Sequence, residues 1–128
     1  MTHKTYFEVR DYECDLQVIV NHSVYLNYME HSRHQFLKDA GGDFAALHNE
    51  GLDLVVVHAD VSYHASLRSG DRFVVELTVT LSGKVRLLFH QKIIRLSDEK
   101  PMVTAIMTVA GVRAGRPVRI DGILALPT

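Results

Sequence analysis

Asn21-His22-Ser23-Val24-Tyr25-Leu26-Asn27-Tyr28-Met29-Glu30-His31-Ser32-Arg33-His34-Gln35-Phe36-Leu37-Lys38 is the stretch on which the reading of the fold turns. Val24, Tyr25, Tyr28, Met29, Ser32, Phe36 and Leu37 recur at spacings of three and four, which lays them along one stripe of a helix. Glu30, Arg33, His34 and Lys38 fall largely off that stripe. Asn21-His22-Ser23 supplies capping chemistry in front. Gly41-Gly42 stops the helix after about five turns, because glycine takes the left-handed conformation that a helix end commonly needs.

Working outward, Tyr6, Phe7, Val9 and Tyr12 among charged neighbours predict a strand over Thr5–Tyr12, and a loop with Glu13, Cys14 and Asp15 follows it. Beyond the helix, a connection from Asp43 to Gly51 holds one helical turn over Phe44–Leu47. Four β-rich runs come next: Leu54–Leu67, Phe73–Leu81, Val85–Leu96 and Met102–Val112. Ser69-Gly70-Asp71, Ser82-Gly83-Lys84 and Ser97–Pro101 separate them as turns. One strand, a long helix and four strands on tight turns predict an α+β fold, a mainly antiparallel five-stranded sheet wrapped around one central helix.

The 128 residues, 47% hydrophobic and 23% charged, fit one domain over 1–128. A chain of this size buries about two-thirds of its unfolded surface, so neither a disulfide nor a structural metal is required. Cys14 is the single cysteine, no apolar run reaches the length of a signal peptide or a membrane span, and the expected location is cytoplasmic, with no membrane partner. Fourteen Lys and Arg against fifteen Asp and Glu argue against nucleic acid as a partner. Nine of the fourteen basic residues are arginine, whose planar fork suits phosphate and carboxylate.

Asp15 is the carboxylate of most interest, seven residues before His22 and in the loop leading to the helix. Unpaired amides at a helix start polarise a carbonyl placed there, and a neighbouring carboxylate attacks it or activates water. A loop aspartate also serves as a turn cap, and both readings stay open on spacing alone. His31 and His34 form an i, i+3 pair, but the eight histidines include no HExxH and no cluster of ligand spacing, so no metal or other cofactor is expected. No GxSxG and no phosphate-cradling glycine loop is present. Arg113, Arg116 and Arg119 cluster around Gly115 and Pro117, either as a solvated tail or as a grip on phosphate, and Lys84 with Arg86 beside Gly83 is a second candidate for that grip.

The stretch Asp15–Arg33 resembles the signature of hot-dog-fold acyl-CoA thioesterases of the 4-hydroxybenzoyl-CoA thioesterase type. Their pattern runs D-x-x-G-x-V-[NYW]-[HNY]-x-x-Y-[LV]-x-[YF]-x-E-x-x-R, and Asp15, Val20, Asn21, His22, Tyr25, Leu26, Tyr28, Glu30 and Arg33 fall in register. Val61-Ser62-Tyr63-His64-Ala65, Phe89-His90-Gln91 and Arg116-Pro117-Val118-Arg119-Ile120 extend the likeness over nearly the whole chain. The resemblance implies a hot-dog domain that hydrolyses an acyl-CoA thioester to a free acid and CoA. Asp15 is then the essential carboxylate, as nucleophile or as general base, and the backbone amide of His22 holds the thioester oxygen. Asn21, Tyr25 and His58 line the acyl pocket, His58 from a neighbouring subunit, while Lys84, Arg86, Arg116 and Arg119 meet the nucleotide phosphates. Glu30 and Arg33 are read as structural helix-face residues. A homodimer or homotetramer with the site at the subunit boundary is also implied.

One position departs from the pattern: Val18 stands where the family has glycine, and a Cβ there alters the path of the loop that aims Asp15. That departure motivates a competing expectation, a non-catalytic hot-dog protein that binds acyl-CoA or aromatic ligands. A dehydratase acting on acyl carriers ranks below both, for want of a matching His and acidic pair.

Overall fold

In the computed structural model, which describes residues 2–40 and 44–120, β1 (His3–Glu8) leads through a single 3-10 turn (Asp11–Glu13) to α1 (His22–Asp39) and the short α2 (Phe44–Asn49). Then come β2 (Leu52–Tyr63), β3 (Arg72–Ser82), β4 (Arg86–Arg95), β5 (Lys100–Arg113) and the two-residue β6 (Arg116–Pro117). The sheet runs in the order β1-β3-β4-β5-β2, every pair antiparallel, with β6 added to β5. This is the long helix and five-stranded sheet that the sequence predicts, with β6 as an unforeseen sixth piece.

Alternation puts one apolar row from each strand against α1. Val75, Ile93 and Val103 stand in register across β3, β4 and β5, as do Val79, Phe89 and Met107, and all are buried. Tyr25, Tyr28, Met29 and Leu37 come down onto these rows from the helix and close the core. Phe7 of β1 stacks on Phe73 of β3 with ring centroids 5.1 Å apart.

Three expectations are corrected. The first strand covers His3–Glu8, since Asp11-Tyr12-Glu13 curls into a 3-10 turn in which the Arg10 N–H donates to Glu13 Oε1 at 2.8 Å and Tyr12 is left exposed. The second covers Leu52–Tyr63, because the N–H groups of His64 and Ala65 both converge on the Met102 carbonyl and bend the chain out of the ladder. Arg33 is not off the buried stripe: it is 9% exposed, and its Nη1 donates to Gln91 Oε1 at 2.9 Å. Gln91 occupies the inward-facing row between Leu77 and Ala105 and also donates to the Met29 carbonyl at 2.8 Å. A long side chain thus carries its polar end into the core beside an apolar stripe and finds a partner there. The helix ends at Asp39 with Ala40 as its C-cap, and the expected Gly41-Gly42 stop lies outside the described residues.

β2 is the last strand of the sheet on one side, and Val55, Val56 and Val57 are exposed along it. Its register shifts between Val56 and His58, a bulge in mid-strand.

Candidate functional site

The loop carrying Asp15 is a small closed lobe. Cys14 and Val20 form an antiparallel bridge, the Asp15 N–H donates to the Ile19 carbonyl at 2.9 Å, and the Val18 N–H donates to the Asp15 carbonyl at 3.0 Å. Asp15 is therefore held opposite Ile19, two residues ahead of Asn21 and the first turn of α1. Its Oδ1 accepts the Gln17 N–H at 2.8 Å, which orients the carboxylate. The carboxylate is exposed in the single chain, and Leu16 at the tip of the lobe is 99% exposed.

The bend depends on position 18. Val18 takes φ 65°, the left-handed region that glycine fills at no steric cost, so a β-branched residue makes the bend and carries strain. A valine held there costs about 1–2 kcal/mol, and the half-exposed side chain returns little by packing. Val18→Gly is accordingly expected to stabilise the fold by about 1 kcal/mol after the extra chain entropy of glycine is subtracted. That corresponds to a rise of about 3 °C in Tm, read by thermal denaturation; a fall in Tm contradicts a strained lobe.

Asn21 stands at the N-cap of α1, as the sequence predicts, but its side chain makes no capping hydrogen bond. Its carbonyl accepts the Val24 N–H at 2.9 Å, and the His22 and Ser23 amides meet no acceptor among the described residues. The helix thus offers uncapped N–H groups and the positive end of its dipole at the base of the lobe, where the Asn21 N–H donates to the Glu13 carbonyl at 3.1 Å. Over this end lies an aromatic cluster that sequence reasoning placed only within a likeness: the Tyr63 ring, at the end of β2, is 4.8 Å from the His22 ring and 5.6 Å from the Tyr25 ring. Tyr63 is partly exposed, whereas Tyr25 is 1% exposed and its hydroxyl accepts the Leu67 N–H at 2.8 Å. Tyr25 therefore braces the floor under the helix start, and burial pushes its phenol pKa up. Glu13 ties the lobe to the helix from the other side, accepting the Tyr28 hydroxyl at 2.8 Å.

The basic residues gather elsewhere. β5 turns back into β6 through Ala114-Gly115, both at positive φ, and the register then sets Arg113 opposite Arg116. The chain continues beneath the β3–β4 turn: the Val118 N–H donates to the Gly111 carbonyl at 2.9 Å and the Ile120 N–H to the Lys84 carbonyl at 2.8 Å. Gly111 is what allows this, because a Cβ there would collide with the Ile120 side chain. Lys84 and Arg86, separate in sequence from Arg113, Arg116 and Arg119, thereby become one basic end of the sheet. Leu52 pairs with Arg113, so this end lies by the start of β2, while His22 and Tyr63 lie by its finish. The twelve residues of β2 between them span about 36 Å. Within one chain, Asp15 and the cations stand at opposite ends, and His58 sits between, exposed just past the bulge.

Comparison with known proteins fits this geometry into a family. The family model of the thioesterase-like superfamily matches residues 9–125. The chain is 34% identical over 119 residues to the chloroplastic acyl-acyl carrier protein thioesterase ATL2 of Arabidopsis thaliana, an alignment taking in 92% of this chain and 63% of that protein. The chain thus spans somewhat under two-thirds of that relative. Among solved structures, a 1,4-dihydroxy-2-naphthoyl-CoA thioesterase from Synechocystis superposes with a TM-score of 0.89 at 18% identity, covering 94% of this chain and 90% of that one. A DHNA-CoA thioesterase from Staphylococcus aureus gives 0.86 at 20% identity, covering 94% and 81%. The chain belongs to the thioesterase-like superfamily, and its architecture is the hot-dog fold. No helix among the described residues is long and apolar enough to cross a membrane.

Proposed function

We propose that the protein hydrolyses the thioester of an acyl group carried on CoA, releasing the free acid and the thiol, with Asp15 as the catalytic carboxylate. One observation carries this reading: backbone hydrogen bonds pin Asp15 opposite Ile19, in the lobe that leads directly into a helix start whose first amides no side chain caps. The thioester carbonyl oxygen would sit on the His22 amide, where charge develops in the tetrahedral intermediate, and Asp15 would act on the carbonyl carbon or on a water beside it. Water supplies the hydroxyl of the acid and its proton goes to the departing sulfur. The reading takes CoA as the carrier and includes the 4-hydroxybenzoyl-CoA type named by the resemblance; the Synechocystis and Staphylococcus aureus structures are named as CoA thioesterases, whereas the Arabidopsis relative is named for acyl carrier protein.

The active unit in this reading is at least a homodimer. β2 is a free edge with exposed valines, and two such edges pairing antiparallel about a two-fold axis set the start of one β2 beside the finish of the other. That arrangement brings the partner's basic end over this chain's Asp15, offering Lys84, Arg86, Arg116 and Arg119 to the CoA phosphates, with Asn21 and the partner's His58 flanking the acyl group. The test is thiol release from a panel of aliphatic and aromatic CoA esters, followed with a thiol reagent. At least one ester is expected to be turned over with a kcat/KM of about 10⁴–10⁸ M⁻¹s⁻¹, the range of ordinary enzymes. Binding of the esters with no release of thiol above background would overturn the proposal in favour of a non-catalytic binding protein.

A further inference from the structure

β1 is the end strand on the other side of the sheet: it pairs with β3, and no described strand lies along its second edge. The ladder decides which of its backbone groups are left over. The Val9 N–H donates to the Asp71 carbonyl at 2.9 Å, while on the far side of β3 the Leu96 N–H donates to the Arg72 carbonyl at 2.9 Å. By the alternation of an antiparallel ladder, the N–H and C=O groups of His3, Thr5 and Phe7 meet β3, and those of Lys4, Tyr6 and Glu8 point off the sheet. The side chains of these last three share the outer face, where Tyr6 is 64% exposed. Lys4 Nζ is 3.8 Å from Glu76 Oε2 and Arg72 Nε is 3.7 Å from Glu8 Oε1, loose contacts that leave Lys4 and Glu8 half or more exposed. A lone lysine on an edge strand repels other edges. β1 carries instead a lysine and a glutamate two residues either side of Tyr6, so an antiparallel copy turned about Tyr6 meets opposite charge at both places.

We infer that β1 is a docking edge for a second copy of this chain, the two β1 strands running antiparallel about a two-fold axis at Tyr6. Lys4 then faces the partner's Glu8, Tyr6 the partner's Tyr6 and Glu8 the partner's Lys4, and every one of these facing pairs has its N–H and C=O groups free to exchange two hydrogen bonds. Glu76 of β3 and Lys92 of β4 stand in register with Lys4, and Arg72 stands in register with Glu8. The joined sheet therefore sets Lys92, Glu76, Lys4, the partner's Glu8 and the partner's Arg72 side by side, charges of strictly alternating sign at the spacing of about 5 Å between cross-strand neighbours. Tyr6 forms an apolar row with Val74 and Ile94 of its own sheet, and the partner's Tyr6 continues it. This contact uses the edge opposite β2 and assumes neither the pairing of β2 strands nor thioester hydrolysis.

Two charge reversals in the full chain, followed by sedimentation equilibrium, test it. Lys4→Glu sets a carboxylate against the partner's Glu8, and Glu8→Lys sets an ammonium against the partner's Lys4, so each variant alone should associate through this edge at least about tenfold more weakly than wild type. Mixed in equal amounts, the two variants present opposite charges to each other at both places, and association between them should return to near the wild-type level. Variants that associate as wild type does, or a mixture no heavier than its separate components, overturn the inference. Amide hydrogen exchange on the wild type gives a reading that needs no variant to fold. As protein concentration rises, exchange at Lys4, Tyr6 and Glu8 should slow by at least about tenfold, while Thr5 and Phe7, already bonded to β3, change little. Exchange at Lys4, Tyr6 and Glu8 that is the same at every concentration also overturns it.

Discussion

Asp15→Asn is expected to lower kcat for thioester hydrolysis by about 10²–10⁴-fold while leaving Tm and oligomeric state unchanged. The asymmetry follows from how the side chain is held. Asp15 is exposed, so exchanging it disturbs no packing. Its structural duty is to accept the Gln17 N–H, and the amide oxygen of asparagine does that equally well. What asparagine lacks is the negative charge and basicity, needed by both routes open to a carboxylate at this place. The backbone pairs from Asp15 to Ile19 and from Cys14 to Val20 persist, so binding of the thioester should survive, with KM little altered. A variant with wild-type kcat removes Asp15 from the chemistry, whatever its distance from the helix.

Gln91→Leu is the largest stability loss expected from a single exchange, about 2–4 kcal/mol in chemical denaturation. Leucine has nearly the right shape for a row of Leu77, Ala105 and their neighbours, and by hydrophobic burial alone it would be harmless. It leaves Arg33, however, without its hydrogen-bond acceptor among the described residues, and deprives the Met29 carbonyl of a donor. A second exchange separates the causes. If the unsatisfied guanidinium is responsible, Arg33→Met combined with Gln91→Leu should be more stable than Gln91→Leu alone, because a buried charge has been replaced by an apolar chain. Additive losses would mean that the two side chains act independently.

The parts of this structure that the sequence reveals are those set by local period and local turn chemistry. Val24 to Leu37 announces the helix because seven apolar or small residues share one face, and the β3–β4 hairpin follows from alternation closed by Ser82-Gly83-Lys84. Arg33 is misplaced by the same logic, since binary patterning assigns a charged residue to water and cannot see the glutamine waiting across the core. The end of β1 is lost because Tyr12 looks apolar, whereas a capping hydrogen bond between Arg10 and Glu13 decides the backbone there. Val18 is legible as a departure from glycine, but that valine itself adopts the bend at φ 65° depends on the closed lobe around it and is not. The union of Lys84 and Arg86 with the later arginines depends on β6 folding back beneath the β3–β4 turn, a long-range event that leaves one local trace, the small Gly111.

A carboxylate and a set of cations at opposite ends of one chain, to be united by a second copy, is the claim from which the functional account hangs. Mixed oligomers test it most directly. One subunit carries Asp15→Asn with its basic end intact; the other keeps Asp15 and carries Lys84→Glu, Arg86→Glu and Arg116→Glu. Each homodimer should be nearly inactive at low acyl-CoA concentration. After the two are unfolded together and refolded at equal amounts, half the dimers are mixed and each of these has one complete site, so about a quarter of wild-type activity should return. Activity that stays at the level of the separate variants, in samples shown to contain mixed dimers, would contradict a site built from both chains.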